Sequence, residues 1–213
     1  MGEFRGPPRP NEHNGAQSVG RISQSVAGQR ARSPVGDPVE VVPFARADGI
    51  VLAVGYYVRA FCTKGEPSPL RPVLEYAAEC GASLALDPPV SESSLDEGSW
   101  EQVGIAYKDH KAPILFEINR DDGKDESVMR EEIEEFIELL EDVRNTRNRR
   151  RVEKHLRSTR FIVAAQLPSS DIDEDGYAAL GHVLTYFVNN SGAMIQADGE
   201  GFYEGGKVIV ELD

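Results

Sequence analysis

The sequence predicts an α+β fold, in which an antiparallel sheet carries helices on one face and two βαββ-like units follow each other in tandem. The first reason is an internal repeat between residues 74–87 and 184–198, with one extra residue before the glycine of the second copy. The second is that strand-like and helix-like apolar patterns alternate in the same order in both halves. The repeat reads Leu74-x-Tyr76 then Gly81-Ala82-x-Leu84-x-x-Asp87, and again Leu184-x-Tyr186 then Gly192-Ala193-x-Ile195-x-x-Asp198.

Composition divides the chain into a tail and a domain. Residues 1–43 are rich in Gly, Pro, Ser and Arg, and we expect them to be a disordered tail because they cannot bury enough apolar surface. Residues 44–213 are predicted to form one domain. Within it we assign 44–120 to the first βαββ unit, 121–160 to an acidic-then-basic connecting helix, and 161–213 to the second unit.

The first unit begins with residues 49–61, whose β-branched and aromatic run predicts a buried central strand. An apolar stripe at helical spacing predicts a helix that ends near Gly81. Residues 83–86, 103–107 and 114–118 follow as predicted strands, separated by a polar loop and a turn.

The connecting segment carries charges of opposite sign in its two halves. Residues 125–143 predict an acidic amphipathic helix, and residues 144–160 hold eight bases at continued helical spacing. We expect the bases either to pair with the acidic helix or to form a solvated helix end. The second unit then reads as a strand over 161–167, a helix over 174–189, and extended segments over 193–197, 201–203 and 207–212.

Net charge narrows the classes of partner. The whole chain carries −13; six of its 23 bases and four of its 36 acids lie in residues 1–46, which leaves −15 on the remainder. Such a field repels nucleic acid and anionic membranes and attracts basic proteins. The apolar runs are too short to span a bilayer, and Cys62 and Cys80 form no metal or redox motif, so we expect a cytoplasmic protein.

One segment resembles half of a calcium loop. Asp171, Asp173 and Asp175 alternate before Gly176, as in the first half of that loop, but the twelfth position is His182 rather than the bidentate Glu. Acidic residues before a helix also cap its N-terminus, and we favour capping over a metal site.

The most distinctive candidate site is the stretch 198–204. It concentrates carboxylates, glycines and aromatic rings, which suit either a ligand or partner site or a tight hairpin whose glycines have positive φ. Together with tyrosines from the rest of the chain, the candidate ligand- or partner-binding residues are Asp198, Glu200, Phe202, Tyr203, Glu204, Tyr186, Tyr56 and Tyr107.

Two functional hypotheses remain open. The sequence contains no nucleophile elbow, phosphate loop or zinc-protease motif, so an enzyme is not favoured and no cofactor or catalytic residue is assigned. We favour a non-enzymatic interaction module of bacterial type, inhibitor-like or immunity-like, that binds a basic partner. The alternative is a small-molecule-binding domain with a cleft between the two repeats, lined by Tyr56, Tyr107, Tyr186, Phe202 and Tyr203.

Overall fold

The computed structural model describes residues 56–121, 123, 127–168 and 171–212. The chain divides into two units, 1–37 and 38–213, and every described residue belongs to the second. The predicted tail and the first part of the predicted strand 49–61 therefore lie outside the described residues.

The described residues form eight strands and four helices. The strands are β1 (Tyr56–Cys62), β2 (Ala85–Asp87), β3 (Gln102–Ala106), β4 (Ile114–Arg120), β5 (Phe161–Leu167), β6 (Met194–Ala197), β7 (Gly201–Glu204) and β8 (Lys207–Glu211). The helices are α1 (Leu70–Glu79), α2 (Val128–Leu139), α3 (Thr146–Leu156) and α4 (Glu174–Ser191), with short 3-10 turns at Glu92–Asp96 and Leu140–Asp142.

All eight strands belong to one sheet, in the order β2-β3-β4-β5-β1-β6-β7-β8, and every neighbouring pair is antiparallel. The prediction of an α+β fold with an antiparallel sheet is confirmed. At the centre, β1 pairs with β5 from Tyr56 opposite Leu167 to Cys62 opposite Phe161. The first strand of one half therefore lies inside the other half.

The prediction that helices cover one face is wrong, because both faces carry helices. Side chains alternate between faces along a strand. On β1, Ala60 and Cys62 belong to a core with α1 and α4, which we call the first face. Phe61, between them, belongs to a separate core with α2 and α3 on the second face. Strand β5 is buried on both sides, which is why residues 161–167 read as a continuous apolar run.

The two halves are not simple copies in the sheet. Each half has three strands after its helix rather than the two of a βαββ unit. The strand after α1 is β2, at the edge of the sheet, whereas the strand after α4 is β6, beside β1. Strand order alone therefore does not establish a duplication.

The connecting segment is two helices rather than one. Val143 has an extended conformation after the 3-10 turn, which ends the first helix. Asn145 then caps α3, because its side-chain oxygen accepts a hydrogen bond from the backbone N–H of Asn148 at 3.3 Å. Asn is a favoured N-cap residue, so Asn145 was a local signal for the start of a helix. The prediction did not use this signal because helical spacing continues through the charged residues 125–160.

Candidate functional site

The stretch 198–204 forms the tight turn after β6 and the whole of β7. Gly199 and Gly201 both have positive φ, as the sequence predicted. A Cβ on Gly201 would lie 2.0 Å from the carbonyl oxygen of Val210, so only glycine fits there. The turn also places Asp198 and Glu200 on opposite faces of the sheet.

Glu200 lies on the first face and joins two of the predicted tyrosines. The hydroxyl of Tyr56 donates a hydrogen bond to one of its carboxylate oxygens, and the hydroxyl of Tyr203 donates to the other. Burial, followed by the interaction with Glu200, raises the pKa of both tyrosines. Both hydroxyls therefore stay protonated at neutral pH, and the trio links β1 to the β6–β7 hairpin.

Asp198 lies on the second face in a network around Arg59. The guanidinium Nη1 of Arg59 donates to Asp198 Oδ1 at 2.5 Å and to Gln196 Oε1 at 2.9 Å. Its Nε donates to Glu132 on α2. The backbone N–H of Tyr57 donates to the second carboxylate oxygen of Asp198 at 3.1 Å. This network ties α2 to the centre of the sheet.

Burial and pairing act in opposite directions on this network. Burial lowers the pKa of Arg59, but Glu132 and Asp198 outweigh it and hold the pKa above its ordinary value. Burial raises the pKa of Glu132, although Arg59 acts against that rise. The second carboxylate oxygen of Glu132 is buried and accepts no hydrogen bond from any described residue.

Arg59, Glu132 and Gln196 were not among the residues predicted from the sequence. The available signal was Arg59 itself, a charged residue inside an otherwise apolar strand, because buried charges are almost always paired.

The other predicted site residues are dispersed. The ring of Phe202 packs in the second-face core, 5.9 Å from that of Phe61 and 5.5 Å from that of Phe136 between centroids. Glu204 pairs with Arg151 on α3. Tyr186 is buried on the first face, and its hydroxyl donates to Ser68 Oγ at 3.1 Å.

Tyr107 packs at the start of α4, and its hydroxyl donates to the carbonyl of Asp171 at 3.4 Å. Tyr186 and Phe202 thus lie on opposite faces of one continuous sheet. Tyr56, Tyr107 and Tyr203 pack on the same face as Tyr186, but Phe202 lies on the other face, so the five aromatic residues do not all line one surface. A small-molecule site on the first face stays a prediction.

The three aspartates of the calcium-loop pattern lie at the start of α4, where they cap the helix and pair with lysines. Asp173 is the N-cap, and its side chain accepts from the backbone N–H of Gly176 at 3.2 Å, which confirms the capping prediction. Lys108 donates to Asp173 at 3.2 Å and to Asp175 at 2.7 Å. Lys111 donates to Asp171 at 3.0 Å. No cluster of metal-ligating side chains occurs among the described residues.

The outer side of α2 is strongly acidic. Its buried residues Met129 and Phe136 face the sheet, and four exposed glutamates lie on the side turned away from it. We call Glu131, Glu134, Glu135 and Glu138 the acidic face. None of the four forms an ion pair with another described residue. Val128 and Leu139 border this face and are 62% and 46% exposed.

The outer side of α3 is basic. Val152 and Leu156 are buried, and the exposed Arg147, Arg150 and Lys154, which we call the basic face, lie on the opposite side of the helix. No ion pair joins α2 to α3 in the described part of the chain. The basic side chain of Arg149 does reach the backbone carbonyl of Glu141, at 3.2 Å. We expected these bases either to pair with the acidic helix or to be solvated, and the residues of the basic face are solvated.

The chain matches no family model, no curated protein and no solved structure. None of the helices described here combines the length and the apolar character that crossing a bilayer requires.

Proposed function

We propose that this protein is a non-enzymatic interaction module that binds a basic partner protein through the acidic face of α2. The observation that carries the proposal is four exposed glutamates on one side of one helix, without ion-pair partners among the described residues. An uncompensated cluster of like charge steers an oppositely charged partner and speeds its association. Inhibitor-like or immunity-like masking of a cationic protein is the function that this surface supports best.

The attachment of α2 supports a preformed docking surface. Phe136 packs edge-on against Phe61 with ring centroids 5.5 Å apart, and Glu132 pairs with Arg59 on the central strand. A helix anchored by both contacts presents its outer side chains with little loss of backbone entropy on binding. The exposed Val128 and Leu139 add apolar area beside the charges, so an amphipathic basic segment is the partner that fits best.

The half-buried carboxylates Asp198 and Glu200 give no comparable support to an enzyme. Glu200 accepts from two tyrosines, and Asp198 accepts from Arg59 and a backbone N–H. These carboxylates are engaged in structural contacts. Cys62 and Cys80 are both free thiols, which favours the reducing environment of the cytoplasm as the site of action.

A binding assay with a defined probe tests the proposal. The probe is a fluorescent synthetic helix of Lys and Leu arranged with one apolar side, compared with a scrambled peptide of the same composition. We expect binding to the amphipathic peptide to be tighter, and to weaken by more than about tenfold between about 20 and 500 mM NaCl because salt screens the charges.

The variants locate the surface. Replacing the four glutamates of the acidic face by Gln should weaken binding by about tenfold or more. The matched control replaces four other exposed glutamates, Glu75, Glu79, Glu97 and Glu101, and should change it less than about twofold. An equal loss in both variants would show that net charge alone drives binding and would overturn the proposal.

We also infer that the two halves descend from one repeated unit. Both run strand, helix and three strands, and both helices are followed by a glycine with positive φ, Gly81 and Gly192. The corresponding rings of Tyr76 and Tyr186 meet 5.8 Å apart where α1 packs on α4. A set of related sequences should strengthen the match between residues 74–87 and 184–198; a match that fades as sequences are added overturns the inference.

A further inference from the structure

We propose that two copies of this chain associate through α2 and α3, with the acidic face of each copy on the basic face of the other. This inference goes beyond the proposed function, in which α3 has no part. Its starting point is that two outward surfaces of opposite charge lie next to each other on one side of the molecule.

Both faces point away from the same side of the sheet. Phe136 of α2 and Val152 and Leu156 of α3 are buried in one core, on the second face. In each helix the charged face lies opposite these buried residues. The two helices therefore form one outer layer, with acids along α2 and bases along α3.

A layer of this kind is complementary to itself. A two-fold axis that lies in the interface, parallel to the layer and between α2 and α3, places α2 of one copy over α3 of the other and repeats the same contact on the other side. Each copy then contributes both halves of the interaction, and the opposite charges of the two faces are compensated at once.

The spacing of the charges also matches. Glu131, Glu134 and Glu138 follow positions i, i+3 and i+7 of α2. The residues of the basic face, Arg147, Arg150 and Lys154, follow the same positions on α3. Each set spans about 10 Å along its helix, at about 1.5 Å per residue. Two such rows can meet charge against charge over their whole length.

The neighbouring bases fit the same arrangement. Arg151 and Arg157 flank the basic face, but Arg151 pairs with Glu204 and Arg157 pairs with Glu153 at 2.9 Å. In contrast, Arg147, Arg150 and Lys154 form no ion pair with another described residue. Within α3, the exposed bases without an ion-pair partner among the described residues are the three that match the row of glutamates.

The size of the surface predicts a weak dimer. Two helices about 17 Å long, side by side, offer an interface at the low end of the range for specific complexes, about 1,000 Å² in total. Exposed ion pairs are individually weak and are screened by salt. Association should therefore depend on concentration and be lost at high ionic strength.

Reciprocal charge reversal tests the proposal with the full chain. Variant A carries Glu131→Lys, Glu134→Lys and Glu138→Lys; variant B carries Arg147→Glu, Arg150→Glu and Lys154→Glu. Sedimentation equilibrium measures the mass of each at about 100 µM in about 20 mM NaCl, where screening is weak. We expect the wild-type chain to dimerise, each variant alone to be monomeric, and an equimolar mixture of A and B to form a heterodimer.

A matched control separates this contact from net charge. Glu79→Lys, Glu97→Lys and Glu101→Lys change the charge as much as variant A does, at exposed sites away from α2, and should leave the dimer intact. Circular dichroism checks that each variant is folded. If variant A does not fold, Glu131→Gln, Glu134→Gln and Glu138→Gln should still weaken wild-type association by about tenfold.

Three results would overturn the inference: a wild-type chain that stays monomeric at low salt, folded variants A and B that do not associate when mixed, or a control that dissociates as variant A does. Variant B keeps the acidic face, so its binding of the Lys and Leu peptide tests the proposed function independently of dimerisation.

Discussion

Arg59 on β1 and Glu132 on α2 form an ion pair that joins the centre of the sheet to the helix with the acidic face. Both side chains are largely buried, at 15% and 16% exposure. The guanidinium carbon of Arg59 also lies 5.1 Å from the ring centroid of Tyr57 and 5.5 Å from that of Phe136. The pair therefore combines charge, hydrogen bonds and aromatic contact at the place where α2 is attached.

Removing the cation should destabilise the fold. Arg59→Met leaves the carboxylates of Glu132 and Asp198 without their cation in a partly buried site, so we expect the free energy of unfolding to fall by about 3 kcal/mol. Urea denaturation measures the change. The double variant Arg59→Met with Glu132→Met should recover part of the loss, since it removes a buried charge together with its partner. A double variant less stable than Arg59→Met alone would contradict this account.

The glycine of the hairpin should be irreplaceable. Gly201 has a φ of 121°, and a Cβ there would meet the carbonyl oxygen of Val210 at 2.0 Å. Gly201→Ala should lower the free energy of unfolding by about 3 kcal/mol or more, because both backbone strain and a clash must be relieved.

Gly199 is the matched control, because it also has positive φ but nothing lies within 4 Å of its added Cβ. Gly199→Ala should cost only about 1 kcal/mol. Thermal or urea denaturation measures the loss of stability in both variants. Equal losses in the free energy of unfolding would mean that the close approach of Gly201 to Val210 is unimportant.

Acidification should weaken the fold through His155. Its Nε2 lies 2.7 Å from the carbonyl oxygen of Phe61, and burial lowers the pKa of the ring below its ordinary value of 6.5. The unfolded chain therefore binds a proton at a higher pH than the folded chain does. The contribution is present above pH 6.5 and is lost as the pH falls through the folded pKa.

The matching measurement is the free energy of unfolding as a function of pH for the wild-type chain and for His155→Gln. The wild-type curve should fall more steeply below pH 6.5 than the curve of the variant. Parallel curves for the wild-type chain and His155→Gln would show that His155 is not the group that titrates.

The Glu200 trio should be visible in an alkaline titration. Tyr56 and Tyr203 have raised pKa values, first from burial and then from Glu200, so both should ionise well above the ordinary value of 10.0. Glu200→Gln removes the negative charge and should lower both pKa values, although burial still holds them above 10.0. Ultraviolet absorbance of tyrosinate follows the ionisation.

Glu204→Gln is the control for that titration, because Glu204 pairs with Arg151 rather than with a tyrosine. It should reproduce the wild-type curve. If Glu200→Gln also leaves the curve unchanged, burial alone protects the two hydroxyls.

Local elements were predictable because their signals are local. The strand at 161–167 has the predicted bounds, and α4 begins at the predicted Glu174. Both follow from short-range causes: a continuous apolar run for a buried strand, and an aspartate cap before an amphipathic helix. The break between α2 and α3 was missed although Asn145 marks it, because helical periodicity continues through the charged segment.

The candidate site was predictable only in part. Tyr56, Glu200 and Tyr203 do come together, but the aromatic residues around them face both sides of the sheet. The side-chain hydrogen-bond partner of Asp198 is Arg59, which is 139 residues away in the chain and could not be inferred from local sequence. Side chains alternate between the two faces of the sheet along the hairpin, and this alternation decides the face on which each residue lies. No pattern in the sequence indicates that β1 is the strand that pairs with β6.

The sequence by itself determined the α+β class, most of the strands and helices, the acidic balance and the aspartate cap of α4, because each follows from composition or from interactions within a few residues. Only the tertiary structure decided that β1 lies between β5 and β6, that helices cover both faces, and that Arg59 meets Glu132. These three features depend on pairing between elements that are far apart in the sequence. Many strand orders are compatible with the same apolar pattern, and the order that buries both faces of the sheet is the one that forms. The acidic face of α2 and the basic face of α3 became one surface in the same way.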